Sequence, residues 1–423
     1  MRYADPRILS ASSRIARIAA RNGCERILKL MAPDPRKFFA HRTSWNLEEN
    51  RLSRALAERR TAGKPILDLV RSNPTECGFT YEQQSIQGAF EHGELLRYQP
   101  DPRGMRRARQ AIAAYYLQQQ ARVDEDDLIL TSGTSEAYSF VFRLLCNPGD
   151  EVLIPSPSYP LFDFLADLCD VKLVRYWLLY DHGWQVDFSA LTAAASERTR
   201  AIIVVHPNNP TGHYTCEAEQ KRLLHFCAER GIALIADEVF LDFSLSGSPE
   251  NSFASGNDAL TFTLSGISKI CGMPQMKLAW IAVSGPAEQK RDALARLEVI
   301  ADAYLSVGTP VQLAGPTLLA MRMSFHGQAM TRIRANLREL DEQLSRQSVC
   351  NRLSCEGGWS AVLRVPATQS DEDLAIALLT KAEVHLHPGH FYDFVQSGHL
   401  VVSLIVPEQE LAEGIRRTLA HFS

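Results

Sequence analysis

The chain is short of several things at once. No run of about 18 apolar residues occurs in its 423 positions, so no segment reads as a membrane-spanning helix. Nine cysteines are present, but no two stand in a C-x-x-C pair. An odd, scattered set argues against a disulfide framework or a structural zinc site, and suits a reducing cytoplasm. The net charge is only −4, so there is no basic field that would call for nucleic acid. Internal repeats and low-complexity tracts are missing. Lysine is scarce, with nine against thirty-six arginines. Two of the nine, Lys269 and Lys277, stand close together in "LSGISKICGMPQMKLAW", and that concentration asks for a reason.

The composition is that of an ordinary globular protein, 45% hydrophobic and 22% charged, long enough for two or three domains. The first forty residues differ. "RILSASSRIARIAARNGCERILKLM" is basic and amphipathic, with Ile15, Ile18 and Ala19 at helical spacing. It reads as a surface arm or subunit-contact helix, with Met31 a second candidate start. Asp5 and Glu25 weigh against a transit peptide, and the lack of an apolar core segment against a secretory signal.

From Arg107 onward, seven short apolar runs alternate with amphipathic stretches: "DLILTSG", "EVLIPS", "VKLVRYW", "RAIIVVHP", "IALIADE", "LTFTLSG" and "KLAWIAVSG". Alternation of this kind builds an α/β unit, here a seven-stranded, mostly parallel sheet with helices on both faces. After Gly285 the pattern changes to long helices at 288–304 and 311–346, three short strands and a last helix at 408–421. This reads as a smaller α+β domain. The expected division is an arm at 1–42, an N-terminal part of the small domain at 43–84, a large domain at 85–305 and a small C-terminal domain at 306–423.

Ligands bind beyond the carboxyl ends of such strands, so the residues just past each run carry the chemistry. In "TSGTSEAY", Gly133, Thr134 and Ser135 open a helix whose free N–H groups and dipole suit a phosphate. In "PSPSYP", Tyr159 can cover a flat ligand. "HPNNPTG" offers the amide of Asn209, and "DEVF" places Asp237 at the end of an apolar strand. A carboxylate buried there costs several kcal/mol unless a cation pairs with it. "SGISK" brings Lys269 to the same edge. Each signal alone is weak, since caps, turns and core aromatics look the same. Pyridoxal 5′-phosphate uses all five: N–H donors for its phosphate, a stacking ring, a donor to its phenolic oxygen, an acid at its pyridine nitrogen and a lysine for its aldehyde.

The ordered set "TSGTSEAY", "PSPSYP", "HPNNPTG", "DEVF" and "SGISK" resembles the class I/II aminotransferases of pyridoxal-phosphate fold type I, from about Asp68 to the C-terminus. The resemblance implies that Lys269 forms the Schiff base and shuttles the substrate proton, that Asp237 holds the pyridinium, that Asn209 donates to the ring oxygen and that Tyr159 stacks. It assigns Gly133, Thr134, Ser135 and Ser268 to the phosphate. Tyr98, in "RYQPDPRG", matches a tyrosine that reaches the partner subunit's phosphate, which implies a homodimer with shared active sites.

Three positions depart from the pattern. Lys277 stands where most members place a phosphate-binding arginine. Phe240 replaces a tyrosine that donates to the ring oxygen, so the Schiff base is expected to be less acidic and the optimum to lie at higher pH. Val401, two residues before Ser403, replaces the arginine that grips the substrate α-carboxylate; either another arginine does the work, with Arg71 the first candidate, or the amino donor lacks a conventionally placed α-carboxylate. His385, His387 and His390 have a spacing that could suggest a metal, but the resemblance implies a proline-glycine turn here at the mouth of the active site, so pocket-lining or plain surface histidines are expected, and no metal. The implied activity is transfer of an amino group from an amino acid to a 2-oxo acid. Elimination or cyclisation on the same cofactor is the alternative. A cofactor-binding DNA regulator would need a longer domain than the forty residues before the fold.

Overall fold

The computed structural model describes residues 39–422, apart from 248, 249 and 306. Met31 and the basic amphipathic stretch lie outside the described residues. Helix α1 (Arg51–Thr61) is capped by Asn50, whose side chain accepts the Ser53 N–H. Strand β1 (Leu67–Asp68), the short α2 (Gln83–Gly88) and α3 (Arg106–Gln118) lead into the main sheet.

There strands and helices alternate in the order β2 (Leu128–Thr131), α4 (Thr134–Leu145), β3 (Glu151–Ser156), α5 (Phe162–Leu168), β4 (Lys172–Tyr180), β5 (Trp184–Val186), α6 (Phe188–Ala194), β6 (Thr199–Val205), α7 (Glu217–Arg230), β7 (Ala233–Asp237), β8 (Thr261–Gly266), α8 (Ile267–Ile270), β9 (Ala279–Ser284) and α9 (Ala287–Tyr304). In space the order is β2-β9-β8-β7-β6-β3-β4-β5. Strands β4, β3, β6, β7 and β8 pair in parallel, whereas β9 runs antiparallel to both β8 and β2. The sheet has eight strands where seven apolar runs were read. The extra one, β5, is a three-residue edge strand folded back on β4, too short to register as a run.

Every residue of β2, β3, β7, β8 and β9 is buried. Both faces are covered, as a parallel sheet requires. Val152, Ile154, Ile203 and Ile235 pack under α4 and α9 through Phe140, Val141, Leu294 and Leu297. Leu153, Ile202, Val204 and Leu234 face the other way, onto Leu223, Leu224 and Cys227 of α7.

The remaining elements are α10 (Thr309–Ala320), α11 (Arg322–Ser345), β10 (Asn351–Arg352), β11 (Ser360–Arg364), α12 (Asp371–Ala377), β12 (Val384–His385), β13 (His387–Pro388), β14 (His399–Ser403) and α13 (Glu408–Ala420). Strands β10-β11-β14-β13 form an antiparallel sheet, and β12 pairs in parallel with β1. Two expectations need correction. The helix expected at 311–346 breaks at Met321, and α10 packs Val311, Ala314 and Leu318 on Ala108, Ile112 and Tyr116 of the large-domain core. Helix α10 thus packs on the elements of the main sheet before the chain enters α11. The strand expected in "EVHLHPG" serves two sheets, β12 in one and β13 in the other, with Leu386 between them.

His213 helps to join the domains. Its ring nitrogens lie 3.2 Å from Glu219 of α7 and 3.4 Å from Glu356, which precedes β11. Both nitrogens miss hydrogen-bond geometry, so the pairing is one of charge. Burial pulls the imidazole pKa down, but the two glutamates outweigh it and bring it up to about 9. A raised folded-state pKa means a contribution present in full below the ordinary histidine range and lost as pH rises through 9. The melting temperature should therefore fall between pH 7 and pH 9.5, and His213→Gln should flatten that fall in a differential scanning experiment.

Candidate active site

The carboxyl ends of β7 and β8, the loops after β3 and β6, and the start of α4 open onto one cavity of about 540 Å³. Thr134, Ser135, Tyr159, Asn209, Asp237, Ser268, Lys269 and Lys277 all line it, and Phe240 and Val401 stand in its wall. The small domain closes the other side with Trp359, Ser360, His387, Tyr392 and Ser403. The loops are tied across the domains: Ser158 N–H donates to the Tyr392 carbonyl at 2.9 Å, and Ser156 Oγ to that of Asp393 at 2.9 Å.

Lys269 lies in α8, directly after β8. Its amine sits 5.1 Å from the Trp359 ring centre and 5.5 Å from that of Phe240. Burial among these rings lowers its pKa to about 8, against the opposing charge of Asp237. The amine is thus held close to the neutral, nucleophilic form. Gly266 permits this turn, because a β-carbon there would meet the Ala279 side chain at 2.7 Å where β8 and β9 approach.

Asp237 is 9% exposed. Its Oδ2 accepts the Tyr138 hydroxyl at 2.9 Å, and its Oδ1 accepts the Val239 N–H at 3.2 Å. Burial pushes the carboxyl up to about 6 in spite of these donors and of Lys269. Among the described residues Asp237 makes no ion pair, and Lys269 acts on it only as a neighbouring charge, an arrangement that suits a ligand that brings a protonated ring nitrogen. Tyr138 went unmarked in the sequence although "TSEAY" contains it. It reads there as one more apolar-face residue of α4, and only its place one turn after Thr134 hinted at the strand ends.

Asn209 accepts from Ser360 Oγ at 3.4 Å through its carbonyl oxygen, which leaves its amide N–H groups for a ligand. Gly133 is the N-cap of α4, with extended backbone, and does not itself line the cavity. The first-turn N–H groups of Thr134 and Ser135 have no helical carbonyl to donate to. Lys277 is exposed and sits in the left-handed region, φ +57°, just before β9. That backbone costs a non-glycine residue about 1–2 kcal/mol, a strain of the kind that gathers at functional sites.

Besides Gly133, two candidates are not brought into the cavity. Tyr98 is 78% exposed and lines a separate depression with Gly104, Leu305 and Gln312. Arg71 turns away: its guanidinium donates to Glu410 of α13 and to the Glu76 carbonyl, while only its neighbours Val70 and Ser72 line the cavity. Here Arg71 stands in an ion pair with Glu410 and does not line the cavity. Among the described residues lining the cavity there is no arginine. The three histidines part company. His385 pairs with Asp68 and His387 with Tyr392, and no group of described residues is arranged to hold a metal.

The profile of the family described as aminotransferase class I and II matches residues 69–417. Alanine aminotransferase of Mycobacterium tuberculosis is 27% identical over 366 residues, covering 84% of this chain and 85% of that protein. Glutamate-pyruvate aminotransferase AlaA of Haemophilus influenzae is 25% identical over 374 residues, 85% of this chain and 91% of that one. The solved alanine aminotransferase of Pyrococcus furiosus superposes with a TM-score of 0.81 at 23% identity, over 88% of this chain and 95% of that one, a likeness of fold.

Proposed function

The chain belongs to the class I and II aminotransferase family and has its fold of type I, and from that premise we propose that the cavity binds pyridoxal 5′-phosphate and moves an amino group from an amino acid to a 2-oxo acid. One observation carries this: a buried carboxylate that makes no ion pair with any described residue and a lysine amine whose pKa burial lowers share a cavity with the open N-terminus of α4. When bound, the cofactor supplies an aldehyde that holds nitrogen and a ring that withdraws electrons.

The chain's residues do the rest. Asp237 would keep the ring nitrogen protonated, with Tyr138 fixing the carboxylate in place. Asn209 would donate an N–H to the ring oxygen and Tyr159 would cover the ring face. Thr134, Ser135, Ser268 and Lys277 would hold the phosphate. Lys269 would be the residue that holds the aldehyde, and its amine would be the base placed to move a proton at the donor's α-carbon. Trp359 and Phe240 screen that amine from water.

Exposure of Tyr98, Leu96 and Leu305 supports a homodimer in which Tyr98 enters the partner's site. The free thiols of the eight described cysteines support a reducing cytoplasm. No described helix is long and apolar enough to cross a membrane. The experiment is spectroscopic. When a panel of amino compounds, with L-alanine, L-glutamate and L-tyrosine among its members, is added to the cofactor-loaded protein, the true donor should convert the aldehyde absorbance to that of the amine form. Release of pyruvate or ammonia without that conversion would instead indicate elimination.

A further inference from the structure

The wall where the family grips a carboxylate is apolar and neutral here. Val401 is 3% exposed and packs with Val362 and Leu353. Directly across the sheet from it, on the same face, stands His387, which lines the cavity. Its Nδ1 pairs with the Tyr392 hydroxyl at 3.0 Å, and its Nε2 makes no bond to any described residue. Burial keeps the imidazole uncharged, its pKa lowered to about 3. Behind it, His385 meets the His387 ring edge-on at 5.6 Å and is itself held by Asp68 through Nδ1 at 2.9 Å. A carboxylate and a second imidazole thus position a neutral ring that faces the substrate space. On another side, Leu161, Phe164 and Leu168 give the cavity an apolar flank.

The two amines in the cavity have other tasks, Lys269 at the aldehyde and Lys277 at the phosphate. A substrate carboxylate against Val401 would be desolvated with no guanidinium to meet it, at several kcal/mol. An amide or ester group carries no such charge and can share hydrogen bonds with His387 and Tyr392. Resting on the amino-transfer reading above, we infer that His387 and Tyr392 replace the missing arginine as the specificity determinants, and that the site takes an apolar amino compound whose carboxyl is capped as an amide or ester.

Two unreactive probes test this by binding alone. 4-Methylpentanamide and 4-methylpentanoate share one apolar chain and differ in charge. Calorimetry on the cofactor-loaded protein should give the amide at least about tenfold tighter binding, the worth of one or two neutral hydrogen bonds. His387→Phe should weaken the amide about tenfold and leave the carboxylate unchanged. Val401→Arg, checked for an intact cofactor spectrum, should reverse the preference. A carboxylate bound as tightly as the amide, or an amide that does not bind, would overturn the inference. The result is separate from the donor experiment: if no amino compound converts the cofactor, the amino-transfer reading falls, while the two dissociation constants still decide what the wall recognises.

Discussion

Lys269→Ala should abolish amino transfer, by a factor on the order of 10⁶, the scale on which enzymes fail when a covalent group is removed. The structure gives this residue no substitute. Lys277, the other amine of the cavity, follows the turn after α8 and precedes β9, in a strained backbone away from the paired rings of Trp359 and Phe240. The two lysines therefore separate by experiment. Lys269→Ala loses the visible band of the cofactor-bound protein. Lys277→Ala keeps the band but needs more cofactor to saturate it, because only a counter-charge has gone. The reaction of Lys269 with the cofactor should also speed up as pH rises through about 8, where burial has placed its pKa. Rapid-mixing absorbance measurements read all three effects.

Asp237→Ala should cost about 10²–10³-fold in kcat, the usual loss when one preorganised electrostatic partner is removed. The carboxylate is buried, oriented by Tyr138 and Val239, and makes no ion pair with any described residue, Lys269 acting on it only as a neighbouring charge. Its removal leaves the ring nitrogen of the cofactor unpaired in an apolar wall, so affinity should fall as well. Tyr138→Phe is the finer test. It removes one hydrogen bond to a charged group, worth about 1.5–3 kcal/mol, and should lower kcat by roughly tenfold while raising the Asp237 pKa. If Asp237→Ala kept full activity, the ring nitrogen would have to be held elsewhere.

What could be read from the sequence was local. Each strand-end motif carries its own turn and its own chemistry, so Asp237, Asn209, Tyr159 and Lys269 could be placed together from their order along the chain. What could not be read depends on distant partners. Arg71 follows β1 closely enough to look like a pocket residue, but its partner Glu410 lies in the last helix. Tyr138 looks like a core residue because its acceptor, Asp237, comes 99 positions later. The break at Met321 has neither glycine nor proline at the break itself, and only the packing of α10 on α3 reveals it. The strand β5 exists because β4 offers it an edge. Val401 was legible as a departure, but the imidazole opposite it became visible only through sheet register.

The central claim is that one lysine of nine holds the cofactor. Borohydride reduction of the cofactor-loaded protein, followed by peptide mass mapping, tests it most directly. The account predicts the reduced pyridoxyl adduct on the peptide bearing Lys269, with Lys277 unmodified. An adduct on Lys277, or on any lysine outside the cavity with Lys269 left free, would contradict it.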